Sequence, residues 1–520
     1  MKFASYLSSS EPFATKEWKK YTLCLLLFWL AIVVGVSSFH EMWRDEVRAL
    51  SLALSPGSFL GLPAALKNEG HPLVWYLILR LGFQIIHSTL ILKFAAITIA
   101  FISIFQFYRI APFCSWFKVL FLFTFLPLYE YSVMARNYGI SMMLFFSMAC
   151  IYPHRNERPV LISVLLVTLA HTNIHSAILA FFLTAFWIIE FLYEEKRISW
   201  SKKGRLMLFS FTLVILGLVL AVLTVLPDKN SIVLQGPPLK IRELFVALWE
   251  CVKHPGGPYD IIFHGIPGWG RDLLMWIFGI GLLVRPAAAV ILIGGIVCVG
   301  TFFSIGYAGV LRHQGLVFIF IITIYWIVLR EFSHRQVSGR LLGSIFNSVV
   351  YVILPAIFLI HIAGSFQKIH RDLTQDMSSS KAFGKFIKDN SQFGDAIIIG
   401  EPDMRLESLP YYVSNRIYVP REGRFQNFVR LTSGNRQELS LGELLEAARS
   451  LKVKEKKPVI IALGHFDLLN QNPPYSRYES YNKKFSWTEQ ELHDFNGSTT
   501  KLVEFKQDVE NERYEVYLLH

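Results

Sequence analysis

The first two thirds of the chain alternate long apolar runs with short polar or basic loops. Each run extends for roughly 18–22 residues, enough for a helix to cross a hydrocarbon core about 30 Å thick. No stretch alternates like a barrel strand, so the spanning elements are helices. The first run, Tyr21–Ser38, reads as an uncleaved anchor, with residues 1–20 as a cytosolic segment carrying Lys16, Lys19 and Lys20. A charged stretch follows, from Phe39-His40-Glu41 through Arg44-Asp45-Glu46 to Glu69-Gly70-His71-Pro72. The segment Pro72–Arg80 allows two readings. As a span, it places the basic linker Arg109–Lys118 outside. As an amphipathic helix along the membrane, it makes Thr89–Tyr108 the second span and keeps that linker in the cytosol, as the positive-inside bias requires. The second reading is adopted, giving an external loop over 40–88.

The remaining runs then fall into order. A third span covers Trp116–Glu130, and Glu130–Tyr138 lies outside. Later spans return to basic loops at Pro153–Pro159, Lys196–Arg205, Arg285-Pro286 and Arg330–Arg340. They emerge at His171–His175, at Leu226 before a Gly- and Pro-rich loop (Gly236-Pro237-Pro238), and at Tyr307. The last span, Ile345–Gly364, runs outward. This makes about eleven spans over residues 21–365. From residue 366 the pattern changes. Helical patterns at Ser379–Asn390, Leu406–Val413 and Leu441–Lys452 alternate with strands at Asp395–Gly400, Arg416–Val419 and Pro458–Leu463. Lys501–Phe505 and Tyr514–Leu519 read as further strands. Residues 366–520 are therefore expected to form a small periplasmic α/β domain. It has neither a GxGxxG loop nor a P-loop.

Composition supports this layout. The chain is 53% hydrophobic, and its net charge of +12 resides largely in the loops between runs rather than on a basic face with stacking aromatics. Nucleic-acid binding is thereby disfavoured. The five cysteines are scattered, with no paired spacing for a disulfide framework or a zinc site.

Polar chemistry gathers on one predicted side. Asp45 and Glu46 follow the first run among Phe39, Met42 and Trp43, with Arg44 and Arg48 close enough to set the local charge. Glu130, Arg136 and Arg312-His313 fall at the same membrane level. His171 and His175 share a spacing that binds metal when helical, but no Glu lies between them and a loop is expected there.

These residues carry a resemblance. An Asp-Glu pair directly after the first span, Gly70-His71-Pro72-Leu73 opening an amphipathic helix, and Ala135-Arg136-Asn137-Tyr138 opening the fourth span together resemble the GT-C class of membrane glycosyltransferases. The pattern is most similar to the protein O-mannosyltransferases and the lipid A aminoarabinose transferases. It covers residues from about 20 to 180 by motif and the later spans by hydropathy. The resemblance implies an inverting enzyme of the bacterial inner membrane. Such an enzyme moves a sugar from a polyprenyl-phosphate donor to a glycan, lipid or protein acceptor on the periplasmic face. It also implies Asp45 as catalytic base, Glu46 as its acidic partner and Glu130 as a loose match to a second acid. If Asp45 and Glu130 held a divalent ion (Mg or Mn), the pattern would follow the oligosaccharyltransferases; the mannosyltransferases do not share that requirement.

The chemistry fits on its own terms. A carboxylate takes the proton of a poorly nucleophilic hydroxyl as attack begins. A departing lipid phosphate calls for fixed cations. Arg136 and Arg312 are the candidates, with Arg44, His71 and His313 around them; arginine suits the role through its rigid donor fork. Two rivals are a lipid-glycan transporter or flippase, which places charges within spans, and a non-catalytic envelope scaffold.

Overall fold

The structure is a computed structural model and describes residues 16–195, 201–232, 240–332, 340–464, 475–506 and 508–520. The start of the predicted cytosolic segment, the Gly236-Pro237-Pro238 turn and parts of the basic loops at 196–205 and 330–340 lie outside the described residues.

The first helix, α1 (Lys16–Phe39), is followed by α2 (Arg44–Leu54), which begins at the acidic pair. Next comes α3 (Val74–Ile86), whose buried side presents Trp75, Tyr76, Leu79 and Arg80, while Leu81 and Ile85 are exposed. Its 13 residues reach only about 20 Å at 1.5 Å per residue, too short to cross a bilayer. His87 closes it in the left-handed region (φ 51°), its N–H donating to the Phe83 carbonyl at 2.8 Å. The full-length helix α4 (Ile91–Ile110) follows.

The predicted third span is broken: α5 (Ser115–Leu122) ends in a turn, and a π-turn over Leu126–Glu130 contains Pro127. Proline lacks the N–H that a continuous helix would need there. Then come α6 (Tyr138–Ile151), α7 (Pro159–Ala170), α8 (Ile174–Glu195), α9 (Lys202–Val225), α10 (Ile241–Lys253), α11 (Gly268–Gly281), α12 (Pro286–Ile305) and α13 (Leu311–Phe332). Two further helices, α14 (Arg340–Ser348) and α15 (Leu354–Thr374), join through a π-turn. Seven of these rods are long and apolar enough to cross a membrane: α1, α4, α8, α9, α12, α13 and the joined α14–α15. The other four predicted spans correspond to α5, α6, α7 and α11, which are helical but shorter. The chain is a multi-pass membrane protein. Its last rod continues ten residues past the predicted end at Gly364, to Thr374.

Contacts define two ends of the bundle. At one, Arg155 pairs with Glu194 (2.6 Å), Glu331 (3.0 Å) and Glu190 (3.2 Å). Arg285 pairs with Glu331 (2.6 Å) and also with Glu190. Two guanidiniums thus share three carboxylates across the ends of α8 and α13 and the loops after α6 and α11. Each charge is compensated, as burial near lipid requires. Arg155 and Arg285, from two of the predicted basic loops, lie at this end. The acidic pair, Arg136 and Arg312 lie at the other.

The tail carries the strands. It starts with α16 (Ser380–Asp389) and β1 (Ile397–Glu401). A 3-10 helix over Asp403–Tyr411 leads to β2 (Ile417–Val419) and β3 (Arg424–Phe425). β4 (Glu438–Ser440), α17 (Leu441–Glu455), β5 (Val459–Leu463), β6 (Tyr475–Tyr478) and β7 (Lys484–Trp487) follow. The chain closes with α18 (Glu489–Ser498), β8 (Thr499–Phe505) and β9 (Tyr514–Leu519). Six strands form one sheet in the order β3-β2-β1-β5-β9-β8, with β2, β1 and β5 parallel. Every residue of β1 and β5 is buried, because α17 covers one face through Leu444, Leu445 and Ala448 and α16 covers the other through Phe383 and Ile387. This is why residues 397–400 of β1 and all of β5 read as apolar runs. A second sheet, β4-β7-β6, and helix α18 were not anticipated.

Candidate active site

Helix α2 begins where the acids stand. Asp45 and Glu46 occupy its first turn, where negative charge is favoured by the free N–H groups. The first of those, on Arg44, donates to Glu512 of the tail at 2.7 Å. The helix turns Val47, Leu50 and Leu52 into the core. It leaves Asp45 and Arg48 on a cavity and directs Glu46 away from it.

The Asp45 carboxylate meets three guanidiniums: Arg136 at 2.7 Å, Arg312 at 3.3 Å and Arg44 at 3.4 Å. Burial alone would raise its pKa, but the three cations, Arg136 foremost, hold it well below the usual carboxylate range. Arg312 also lies over the Trp43 ring at 5.8 Å. His71 is brought in by a turn at Gly70, whose φ of +70° is a left-handed conformation that costs other residues about 1–2 kcal/mol. Burial pushes the His71 imidazole down to about 3, and Arg136 and Arg312 act in the same direction, so it is neutral at pH 7. His313 accepts the Val310 N–H at Nδ1 (3.1 Å), and its Nε2 lies 2.7 Å from the Tyr138 hydroxyl.

These groups line one cavity of ≈ 430 Å³, within the range of small-molecule sites. Its apolar lining includes Ile174, Val222, Val225, Leu226 and Phe302. Val222 and Leu226, at the end of the apolar rod α9, are exposed. The tail supplies the remaining wall with Met404, Glu407, Leu431 and Tyr481. Arg48 ties this cover down, pairing with Glu69 at 2.5 Å and also with Glu407. Glu407 further accepts the Val429 N–H at 2.6 Å, and Tyr412 donates to the Met42 carbonyl at 2.9 Å.

Arg44, Asp45, His71, Arg136, Arg312 and His313 are thus brought together as expected. Glu46 and Glu130 are not. Glu46 is fully buried; its carboxylate accepts the Ala135 N–H at 2.5 Å and faces His40 Nε2 at 3.0 Å. It therefore holds the backbone just before Arg136 and positions that residue, with no access to the cavity. Glu130, at the end of the π-turn, faces Lys368 at 3.6 Å and does not line the cavity. The expected Asp45–Glu130 metal pair is accordingly not assembled. Among the described residues no group of three His, Cys, Asp or Glu side chains is placed to hold a metal ion. Asp45 already carries three cations, so the donor set does not fit a divalent ion. His171 lies in the turn after α7 and His175 in the first turn of α8, and His171 Nε2 bonds the Gly217 carbonyl at 3.1 Å, so they form no metal pair.

Sequence reasoning missed the support behind the site. His40 is buried between Glu46 and Asp372, 3.0 Å from each. Burial opposes its protonation, but the two carboxylates prevail and raise it to about 10. A histidine raised from about 6.5 contributes stability that is full below pH 6.5 and is lost as pH rises through about 10. The thermal midpoint in detergent should therefore fall between those limits. His40→Gln should lower the midpoint at pH 6.5 and flatten that fall; an unchanged slope in the variant would remove the imidazolium from the account.

No family model and no curated protein matches this chain. Among solved structures, the chain is similar to a mutant of the arabinofuranosyltransferase AftD from Mycobacteria, determined by cryo-EM. The identity is 12% and the TM-score 0.35, with the match covering 94% of this chain and 41% of that one. This chain thus spans about two fifths of the length of that protein.

Proposed function

We propose that the chain is an inverting glycosyltransferase that uses a polyprenyl-phosphate sugar as donor and acts on a cell-envelope acceptor. One observation carries the reading: a carboxylate under three guanidiniums lines the same cavity as the apolar side chains Ile174, Val222, Val225, Leu226 and Phe302. An amphiphile with an anionic head matches both sets of groups. Its phosphate suits the forks of Arg136 and Arg312, and its chain suits the strip from Val222 to Leu226.

In this reading the acceptor hydroxyl attacks the anomeric carbon while Asp45 takes its proton. The bond from that carbon to the phosphate oxygen breaks, and the lipid phosphate leaves with its charge held by the arginines. Attack opposite the leaving group inverts the centre. Its three cations hold Asp45 as a weak base. A bound phosphate competes for Arg136 and Arg312 and so restores the basicity of Asp45. Proton removal is then coupled to donor occupancy, which guards against wasteful hydrolysis. The tail supplies part of the cavity wall, where an acceptor is expected to approach. The periplasmic face of an inner membrane, where such donors are consumed, belongs to the same proposal.

The test is transfer of labelled sugar from a panel of polyprenyl-phosphate sugars by the purified protein, with and without chelator. We expect at least one donor to be consumed at a rate the chelator leaves unchanged. Movement of intact labelled lipid across a bilayer with no transfer from any donor would instead indicate a transporter.

A further inference from the structure

One cavity group has no place in the chemistry described so far. His175, in the first turn of α8, is 4% exposed, and neither ring nitrogen has a hydrogen-bond partner. Its ring stacks on His313 at 4.7 Å (27° between planes) and lies 5.4 Å from the ring of Phe302, edge to face. It therefore touches both His313, next to Arg312, and the apolar Phe302, all of which line the cavity. A buried imidazole with both nitrogens unsatisfied is costly to the folded protein. A plain packing role would be filled as well by phenylalanine.

Its neighbour supplies a complementary group. His313 Nδ1 accepts a backbone N–H, which puts the ring proton on Nε2, facing the Tyr138 oxygen at 2.7 Å. The Tyr138 hydroxyl thus accepts from His313 and keeps its own proton to donate. Tyr138 and His175 both line the cavity and are almost wholly buried; between them they carry a hydroxyl donor, one imidazole donor and one imidazole acceptor. Neutral, paired donors and acceptors of this kind match sugar hydroxyls, each of which both donates and accepts. A phosphate, which only accepts, would leave the His175 acceptor nitrogen unsatisfied, and a lipid chain would leave all three groups so.

We propose that His175 is the residue that reads the donor's sugar, hydrogen-bonding a ring hydroxyl of the glycosyl group whose phosphate is held by Arg136 and Arg312. The proposal rests on the donor reading above and adds to it the site of sugar recognition. Sugar hydroxyls can satisfy both His175 nitrogens, whereas a bare lipid phosphate satisfies at most the donor, so His175 contributes to the difference between the two ligands.

The test compares dissociation constants of undecaprenyl phosphate with those of undecaprenyl-phosphate-linked glucose, mannose and aminoarabinose, measured by native mass spectrometry on the full-length protein in detergent. Wild type is expected to bind at least one sugar-bearing lipid about tenfold or more tighter than the bare phosphate. His175→Phe keeps the ring stack and should bring that ratio close to one with the affinity for undecaprenyl phosphate unchanged. His175→Asn, which retains a donor and an acceptor, should restore part of the ratio. A ratio unchanged in His175→Phe, an equal loss for both lipids, or a wild type that binds undecaprenyl phosphate without distinguishing any sugar would overturn the inference. A wild type that binds none of the four lipids would overturn the donor reading itself, together with the inference that depends on it.

Discussion

Replacing Arg136 with alanine is expected to weaken binding of undecaprenyl phosphate by roughly 30-fold or more, about 2 kcal/mol, the lower bound for removing one member of a buried charged contact. Arg136 makes the shortest contact to Asp45, at 2.7 Å, and with Arg312 it lines the cavity. The variant should still fold. Glu46 holds the backbone of Ala135 rather than the Arg136 side chain, and Asp45 keeps Arg44 and Arg312. With its strongest cation gone, the Asp45 carboxyl rises toward the ordinary range, so any residual transfer should shift its acidic limb to higher pH. Arg136→Lys should fall between wild type and alanine, since lysine restores charge without the planar fork. Titration of the lipid against the purified variants checks this. Unchanged affinity in Arg136→Ala would show that the phosphate is held elsewhere.

Much of this arrangement was legible in the sequence. The eleven apolar runs all form helices because in lipid the backbone has no alternative way to satisfy its polar groups. Placing Pro72–Arg80 along the membrane agrees with a helix of 13 residues. The same reading put Asp45, Arg136 and Arg312 at one end, where the structure has them in contact. Three things were not legible. The break at Pro127 depends on a local π-turn, which hydropathy does not register. That break leaves Glu130 facing Lys368, so residues at one membrane level need not share one site. The pairing of His40 with Asp372 and of Arg44 N–H with Glu512 joins positions more than three hundred residues apart. Pairs of that kind follow from tertiary packing and leave no local pattern. Glu46 sits beside Asp45 in sequence, yet successive helical residues point about 100° apart, and that rotation is what separates the group in the cavity from the group behind it.

Asp45 remains the centre of the account, and its replacement by asparagine separates the two roles assigned to the site. Asparagine fills the same space but accepts no proton, so transfer should fall by about 10²–10⁴-fold, the usual contribution of a general base. It also removes the anion that competes with the donor for Arg44, Arg136 and Arg312. Binding of undecaprenyl phosphate should therefore be at least as tight as in wild type, and tighter at low salt. Loss of turnover with retained or improved binding is a signature that unfolding does not produce. The decisive measurement is turnover of a labelled polyprenyl-phosphate sugar by wild type and Asp45→Asn side by side, with lipid affinity measured on the same preparations. The account predicts a variant that binds the lipid phosphate and does not transfer sugar; a variant that transfers at the wild-type rate would contradict it.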